Sequence, residues 1–412
     1  MQSLDKSILD RVALQVPEIL LPGSQVDLQK WAVVACDQFT SEPEYWTEVE
    51  KITRGVPSSY HVIFPEVFLE GPGKEERIQR INQTMQEYIQ QDILKPCCHG
   101  FILVRRKMAN GLVRTGLMVS LDLDKYDFHA GSHAMIRATE KTVMERIPPR
   151  VQIRKDAPVE LPHVLVLIDD PEKKVIEPLI RHFENPACMA YETDLMLHGG
   201  SIKGYQITDS EKIQEIALAL ETLIKPDGYL YAVGDGNHSL ATAKQCWDNL
   251  KKSLSEEDQK RHPARYALVE LNNIHDEGMV FEPIHRVLFN IDPDKLKAYL
   301  QGDGPEVVLV QGSYTEHIRL KQRPGNLAVG VLQTLLDEFM ALYPDSKIDF
   351  IHGEKSLRKL SDGRDKLGFL LSAMKKSDLF KTVSLDGALP RKTFSMGEAE
   401  EKRYYFEARK IR

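Results

Sequence analysis

The segment from Tyr229 to Lys244 reads Y-L-Y-A-V-G-D-G-N-H-S-L-A-T-A-K. Its first residues are apolar and favour a β-strand, whereas its last residues are mostly small or helix-favouring. Between them stands the run G-D-G-N-H-S, from Gly234 to Ser239, in which two glycines permit a tight turn of the backbone. The pattern therefore predicts a strand, a tight turn and the start of a helix.

The predicted turn has two interpretations that the local residues leave equally open. The start of a helix exposes backbone N–H groups and the positive end of the helix dipole, which suits an anion such as phosphate. Asp235 is able to hold a hydroxyl group or a Mg²⁺ ion beside it. Alternatively, Asn237 or Ser239 serves only as the N-cap of the helix. G-D-G-N-H matches neither a P-loop nor a G-x-G-x-x-G fingerprint, so the motif does not decide between them.

Helical and strand patterns alternate irregularly along the rest of the chain. Asn110-Gly111 between two β-favouring runs predicts a hairpin over residues 101–123. Helical spacing predicts a helix over residues 75–94 that Pro96 ends. The segment around Pro283 predicts a strand that this proline interrupts, and Trp31 to Cys36 predicts a short buried strand. The mixture predicts an α+β, or mixed α/β, fold.

The length and composition of the chain are typical of a globular protein. The chain has 412 residues, of which 42% are hydrophobic and 28% charged, and this length leaves room for two or three lobes. No apolar run approaches the roughly 20 residues that cross a bilayer, and the N-terminus lacks a basic-then-apolar signal pattern. The five cysteines show no C-x-x-C spacing, which favours free thiols. We therefore expect a cytoplasmic protein.

The charge pattern bears on the partners. The formal net charge is −7, and the lysines and arginines are dispersed along the chain. This distribution argues against nucleic acid or a membrane surface as a partner, but it is compatible with a local basic pocket for phosphate.

Three further clusters carry residues that suit phosphate chemistry. In R-A-T-E-K-T, Glu140 stands among basic residues; it is either a carboxylate able to accept a proton from an alcohol or a plain surface glutamate. In P-I-H-R-V, His285 and Arg286 would face opposite sides of a strand, and the ordinary interpretation is a half-buried histidine beside a surface arginine. In P-R-K-T-F-S, Lys392 and Thr393 suit an anion, although a plain turn explains them equally well. Asp37 and His163 are among further polar candidates.

In this order, the clusters resemble the family called domain of unknown function 1015 (DUF1015). Its members carry D-G-H-H-R where this chain has D-G-N-H-S, and K-P-H-E-x-T where this chain has R-A-T-E-K-T. They carry P-T-H-R-L and P-x-K-S/T-T where this chain has P-I-H-R-V and P-R-K-T-F. The V-V-A-C-D run near the N-terminus also matches a family motif. The resemblance extends from about residue 30 to the end of the chain.

The resemblance implies a ParB/sulfiredoxin-like nucleotide-binding core, because the family is related to an archaeal free serine kinase that uses ADP. It implies three segments: an N-terminal α+β lobe (1–128), a ParB/sulfiredoxin-like core (129–290) and a C-terminal α/β lobe (291–412) that returns P-R-K-T to the site. It implies ADP or ATP together with Mg²⁺ as cofactors. The expected partners are a nucleotide and a small-molecule substrate, with a homodimer as one assembly to test.

The resemblance also implies roles for individual residues. Glu140 takes the place of the catalytic glutamate, which accepts the proton of the substrate hydroxyl. The phosphate- and nucleotide-binding positions correspond to Thr139, Asp235, Gly236, Asn237, His238 and Ser239, with Asp235 also a candidate Mg²⁺ ligand. The neighbourhood of the substrate or phosphate includes Arg137, His285, Arg286, Lys392 and Thr393. The expected function is a nucleotide-dependent phosphotransferase acting on a small hydroxylated metabolite, such as a free amino acid, for example serine.

Two positions of the turn differ from the family pattern and keep a second function open. Asn237 and Ser239 stand where relatives have histidine and arginine, so cationic contacts to phosphate are missing unless Lys244 or Arg286 replaces them. The alternative is a non-catalytic regulatory module of ParB-like fold that binds a nucleotide without transferring phosphate.

Overall fold

A computed structural model describes residues 5–69 and 71–412 of the chain. They form two compact units. The first unit comprises the residues up to Ala138, then Thr142–Met279 and Glu398–Arg412. The second unit comprises Thr139–Lys141 and Val280–Gly397. The three-segment division at residues 128 and 290 stays a prediction.

The described chain mixes helices and strands throughout, which confirms the α+β fold class; the ParB/sulfiredoxin comparison stays a prediction. The helices are α1 Lys6–Arg11, α2 Leu28–Trp31, α3 Pro43–Thr53, α4 Lys74–Gln90, α5 Ile147–Arg154, α6 Glu177–Phe183, α7 Ser210–Glu221, α8 Asn237–Leu250, α9 Glu256–Arg261, α10 Pro293–Leu300, α11 Ala328–Leu342, α12 Glu354–Leu360 and α13 Asp378–Asp386. The strands are β1 Leu14–Gln15, β2 Glu18–Pro22, β3 Val33–Val34, β4 Leu94–His99, β5 Phe101–Lys107, β6 Val113–Asp122, β7 Tyr126–Asp127, β8 Ile136–Ala138, β9 Val159–Glu160, β10 Leu165–Ile168, β11 Met189–Leu195, β12 Gly200–Ile207, β13 Tyr231–Asp235, β14 Tyr266–Asn273, β15 Phe281–Phe289, β16 Gln301–Gln311, β17 Tyr314–Leu320, β18 Lys347–His352, β19 Lys366–Leu370, β20 Phe394–Met396, β21 Tyr404–Tyr405 and β22 Arg409–Lys410.

The first unit is built on a mixed sheet with the strand order β11-β12-β5-β6-β14-β10-β13-β8-β7, and β1 pairs with β6. β13 runs antiparallel to β10 and parallel to β8. Because β10 is antiparallel, its first residue, Leu165, pairs with Asp235, the last residue of β13. The residues that precede β10 therefore lie next to the carboxyl end of β13, where the chain turns into α8.

Helix α8 packs on this sheet through an apolar face. Leu240, Ala241, Ala243 and Trp247 are buried, and they recur at helical spacing. The indole N–H of Trp247 donates to the Asp124 carboxylate (2.9 Å), so the buried ring keeps a polar partner. The predicted strand, turn and helix of the opening segment are confirmed.

Two other predictions in the first unit have different outcomes. The hairpin is confirmed, because β5 and β6 pair antiparallel from Ile102 with Met118 to Lys107 with Val113. The helix predicted to end at Pro96 ends earlier, at Gln90. Pro96 instead lies in β4, which forms a two-stranded sheet with β2 and has a register irregularity beside this residue. A proline is tolerated there because an edge strand with a bulge does not need every backbone N–H.

The strand predicted from Trp31 to Cys36 is shorter than expected. Trp31 ends helix α2, and only Val33–Val34 form β3. The side chain of Asp27 accepts the N–H groups of Gln29 and Lys30, which starts this short helix before the apolar run.

The second unit contains a sheet with the strand order β17-β16-β19-β15-β18, and β20 pairs with β15. β15 is continuous from Phe281 to Phe289, so the prediction that Pro283 interrupts it was wrong. Pro283 lies where the strand changes partner: Phe281–Pro283 pair with β20, and the residues from Ile284 onward pair with β18. This change of partner accommodates a residue that cannot donate a ladder hydrogen bond.

Two findings concern the cysteines and the length of the helices. All five cysteines are free thiols. Within residues 5–69 and 71–412, every helix is too short or too polar to cross a membrane.

Candidate functional site

The turn between β13 and α8 lies where the sequence predicts either an anion site or a plain helix cap. Gly236 is the N-cap residue of α8 and adopts a left-handed backbone conformation with φ 76°. Gly236 is the N-cap residue and has no side chain to accept a capping hydrogen bond, so neither Asn237 nor Ser239 holds the N-cap position. The start of a helix directs backbone N–H groups and the positive end of the helix dipole toward the turn that precedes it. We call the segment Gly234–Ser239 the phosphate corner.

Gly236 is required at this corner for two reasons. Its positive φ disfavours any residue with a Cβ atom. A Cβ atom built on it would also lie 3.0 Å from Val164 Cγ2, 3.1 Å from Val164 Cα and 3.4 Å from His163 Cδ2. Both neighbours precede β10, and the antiparallel pairing of β10 with β13 brings them there.

Asp235 forms an ion pair with Lys402, a partner that the sequence did not predict. One carboxylate oxygen, Oδ1, accepts the Gly236 N–H (3.0 Å), and the other, Oδ2, lies 3.3 Å from Lys402 Nζ. Lys402 is only 8% exposed, which is unusual for lysine. It comes from the last segment of the chain, far from the corner in sequence, so no spacing pattern could have indicated it.

The Lys244 side chain is paired with carboxylates of the first unit other than Asp235. Its ammonium group lies 2.9 Å from an Asp248 carboxylate oxygen and 3.9 Å from Asp124. The Asp248 pair has the helical i,i+4 spacing and belongs to the middle of α8.

His238 is held in a defined orientation at the corner. Its Nε2 accepts the backbone N–H of Val143 (3.3 Å). The neighbouring Thr142 has a buried hydroxyl group for which the structure holds no hydrogen-bond partner.

Ser239 belongs to a second hydrogen-bonded group behind the corner. Its hydroxyl lies 3.0 Å from His163 Nε2, and His163 Nδ1 lies 2.7 Å from the Tyr405 hydroxyl. The Cys36 N–H donates to the same tyrosine oxygen (3.1 Å). Asp37 lies 3.8 Å from His163 Nε2. Asp37 and His163, which sequence alone could not rank, are therefore neighbours of the corner.

The charge of Asp37 is stabilised by its surroundings. Burial acts to raise its pKa, but His163, a hydrogen bond from Gln38 and the charge of Lys402 outweigh it, so the pKa lies below its usual value. Asp37 and Asp235 thus both interact with Lys402, whose single positive charge offsets part of their combined negative charge.

In the second unit, Glu140 is anchored to the late P-R-K-T motif. The N–H of Leu389 donates to the Thr139 carbonyl oxygen (2.7 Å), and Glu140 pairs with Leu389 as a parallel bridge. The backbone N–H of Lys392 donates to the Glu140 carboxylate (3.3 Å). Lys392 itself has a positive φ of 56°, a conformation that ordinary side chains rarely adopt. The R-A-T-E-K-T and P-R-K-T clusters, which lie far apart in sequence, are therefore in contact within the second unit.

Arg286 joins the same group. It is fully buried, so the expected surface arginine was wrong. Its guanidinium donates to the carbonyl oxygens of Ile284 and Arg391 and to the Gln333 side chain (3.3 Å). Burial and the nearby Arg391 lower its pKa to about 10, opposed by Asp337 and Glu140, so it remains charged at neutral pH.

His285 and Thr393 have structural partners in the second unit. His285 Nδ1 accepts the Leu371 N–H (3.1 Å), and burial lowers the pKa of the ring. The Thr393 hydroxyl donates to the Pro390 carbonyl oxygen (2.6 Å), which closes the turn that carries Lys392. The phosphate or substrate roles expected for these residues stay predictions.

The Arg137 side chain contacts protein groups within the first unit. It donates to the Asp227 carboxylate (2.8 Å) and to the carbonyl oxygens of Asp227 and Ala134, and it stacks over the Tyr229 ring at 4.4 Å. The side chain is 3% exposed. This geometry ties the loop before β13 to β8, and the expected phosphate contact stays a prediction.

The donor set at the corner fits Mg²⁺ only together with phosphate. Among the described residues, no three His, Cys, Asp or Glu side chains form a group that could hold a metal ion. Mg²⁺ commonly takes one or two carboxylates and completes its shell with water and phosphate oxygens. Asp235 offers such a carboxylate.

Comparison with known proteins identifies the family. The model of the family described as "Protein of unknown function (DUF1015)" matches residues 20–359. This match covers most of the chain, and the protein therefore belongs to the DUF1015 family. No curated protein matches the chain.

Solved structures show weaker similarity. A free serine kinase variant in complex with ADP has a TM-score of 0.39 and 12% identity, covering 71% of this chain and 92% of that one. A conserved hypothetical protein from Pyrococcus furiosus has a TM-score of 0.36 and 12% identity, covering 70% and 94%. SbnI with a C-terminal truncation from Staphylococcus aureus has a TM-score of 0.34 and 11% identity, covering 68% and 83%.

Proposed function

We propose that the protein is a nucleotide-dependent phosphotransferase that acts on a small hydroxylated metabolite. The observation that carries the proposal is the phosphate corner. Gly236 is the N-cap residue of α8 and has no side chain to cap the helix. The buried Lys402 forms an ion pair with Asp235, the residue before Gly236. A helix start of this kind attracts phosphate through its N–H groups and its dipole. The nucleotide itself follows from the family motifs that contain this corner.

Each residue of the corner has a proposed task. The first N–H groups of α8 and the ammonium group of Lys402 bind phosphate oxygens and offset their negative charge. Asp235 orients Lys402 and offers an oxygen ligand to Mg²⁺. Mg²⁺, when bound with the nucleotide, neutralises charge that develops on the transferring phosphoryl group. Asn237 and Ser239 contribute neutral polar groups where relatives carry cations, and Lys402 supplies the positive charge instead.

Glu140 is the proposed general base. Its carboxylate accepts the backbone N–H of Lys392, and the charge of Arg286 acts on it, so it is held within the second unit. In phosphoryl transfer a carboxylate orients the acceptor hydroxyl and takes its proton as the new P–O bond forms. Thr139 and the turn that carries Lys392 and Thr393 hold this segment in place through the Leu389 N–H bond.

The decisive experiment compares turnover by Glu140→Gln and Glu145→Gln. Both substitutions remove one carboxylate charge from neighbouring segments, and Glu145 is exposed. The purified proteins are incubated with Mg²⁺, ADP or ATP and a panel of hydroxylated metabolites that includes serine, and phosphorylated products are measured. We expect Glu140→Gln to lose about 10²-fold or more in kcat and Glu145→Gln to match the parent. Equal turnover by Glu140→Gln and the parent would show that Glu140 is not the base.

A regulatory module that binds a nucleotide without phosphoryl transfer is the second candidate. The neutral Asn237 and Ser239 at the corner favour it, since they remove cationic contacts that a transferring phosphoryl group needs. Tight ADP or ATP binding in calorimetry, together with no turnover of any acceptor in the panel, would select this function.

A further inference from the structure

A cavity of about 160 Å³ lies in the first unit, beside the phosphate corner. Helices α5 and α8 contribute to its wall, together with the loop before β10 and the segment around Phe64. The lining is largely apolar and includes Phe64, Met85, Ile153 and Leu240. An apolar cavity of about 150 Å³ is large enough to hold a benzene ring. No residue role assigned so far involves this cavity as a whole.

The cavity and the phosphate corner share residues. His163, Val164 and Ser239 line the cavity. Val164 and His163 are also the residues that a Cβ atom on Gly236 would meet, at 3.0 to 3.4 Å. Ser239 lies in the first turn of α8, and Ala243 lines the cavity one turn further along the helix. A ligand with phosphate at the helix start therefore has the cavity directly next to it.

The polar groups of the wall are already paired or uncharged. Glu160 accepts from Arg154, from Arg409 and from the Leu268 N–H, and Glu66 accepts from Arg150. Burial raises the pKa of the Cys36 thiol and that of the Tyr405 hydroxyl, so both stay protonated at neutral pH. An apolar group entering the cavity thus gains burial without leaving a charge unpaired.

We propose that this cavity binds the apolar, ring-sized body of a ligand whose phosphate lies at the corner. The proposal rests on the proposed function, and it names the ligand class: a phosphate ester with an apolar part about the size of one aromatic ring. This chemistry has two sources, the base of a nucleotide and a phosphorylated acceptor with an apolar body. Free serine carries no such body, so an acceptor bound here differs from serine.

The test measures binding of inorganic phosphate, methyl phosphate, phenyl phosphate and ADP by calorimetry. The parent protein is compared with Ala243→Leu, which fills the cavity from α8, and Ala157→Leu, which fills it from the segment that follows α5. Ala219→Leu is the control, because Ala219 lies on α7 and is absent from the cavity lining. Binding of inorganic phosphate to each variant shows that the corner is intact and the protein folded.

We expect the parent to bind phenyl phosphate about tenfold or more tightly than methyl phosphate, because the ring is buried. Ala243→Leu and Ala157→Leu should remove this difference and leave inorganic phosphate binding unchanged, while Ala219→Leu changes neither. A parallel loss of ADP affinity identifies the nucleotide base as the source, and unchanged ADP affinity identifies the acceptor.

The two proposals fail in different ways. Equal affinities of the parent for methyl and phenyl phosphate would overturn the cavity proposal and leave the phosphate corner standing. The same conclusion follows if filling the cavity weakens both esters equally. No binding of any phosphate compound would overturn the phosphate corner itself, and the cavity proposal with it.

Discussion

At the scale of single residues, Gly236 is the position on which the site depends most. Its left-handed conformation turns the chain from β13 into α8 and leaves the helix start without a side-chain cap. The same conformation brings Gly236 against Val164 so closely that a Cβ atom would have to displace the backbone of that residue. The glycine thus combines a conformational requirement with a steric one.

We predict that Gly236→Ala destabilises the protein more than Gly228→Ala does. Both glycines have a positive φ, so each substitution costs about 1–2 kcal/mol in backbone strain. Only Gly236 also meets neighbours, since a Cβ atom on Gly228 has nothing within 4 Å. The contact with Val164 should add about 1–3 kcal/mol. Urea unfolding of the two variants measures the difference, and equal midpoints would contradict the steric argument.

The local pattern predicted Gly236, but it could not predict the residues around it. Two glycines between a strand and a helix indicate a tight turn because of their backbone freedom alone. Lys402 and Tyr405 reach the site through the fold of the last segment, and Val164 through an antiparallel strand pairing. These contacts depend on long-range packing, which leaves no spacing signal in the chain.

At the scale of elements, the final segment Glu398–Arg412 is what completes the first unit. β21 pairs with β3 and β22 pairs with β9, so the segment contacts strands from two distant parts of the chain. Directly before β21, the fully buried Arg403 donates to Glu270 and to Glu407. The same segment delivers Lys402 to the corner, so the stability of the unit and the charge of the site are coupled.

We predict that Arg403→Met destabilises the protein by about 3–5 kcal/mol at pH 7, because it removes the cation that two buried carboxylates, Glu270 and Glu407, share. The control is Arg261→Met, whose arginine is 80% exposed and pairs with Glu257, and it should change the stability by less than about 0.5 kcal/mol. Denaturant unfolding measures both values. A small effect of Arg403→Met would show that the carboxylates find other partners.

The effect of Arg403→Met should also depend on pH. Burial acts to raise the pKa of Glu270, but Arg403 and Arg114 outweigh it, so the folded-state pKa lies below the usual 4.5. The carboxylate therefore contributes stability above pH 4.5, and this contribution is lost as pH falls through the folded-state pKa. The stability difference between parent and variant should shrink below pH 4.5, whereas a constant difference would exclude this linkage.

At the scale of the whole molecule, the chain builds two units with separate hydrophobic cores. The cores of the first unit include Trp31, Trp46 and Trp247, which are all the tryptophans of the sequence. The core of the second unit is formed by α10, α11 and the strands around β16 and contains Leu332 and Phe369. A unit with its own core is able to unfold on its own.

We predict that urea unfolding followed by tryptophan fluorescence differs from unfolding followed by far-ultraviolet circular dichroism. Fluorescence reports the first unit alone, whereas circular dichroism reports helices and strands of both units. Added phosphate, if it binds the corner, should shift the fluorescence midpoint upward by mass action. Coincident curves at every phosphate concentration would indicate a single cooperative unit instead.

The amino-acid sequence by itself determined the mixed α+β class, the hairpin at Asn110-Gly111 and the strand–turn–helix at Gly236, since these depend on residues close together in the chain. It also carried the motifs by which the family is identified. The tertiary structure decided that Glu140 is anchored by the turn of Lys392, that Arg286 is buried, and that Lys402 accompanies Asp235. Those outcomes follow from strand order and burial, which bring together residues that no local pattern connects.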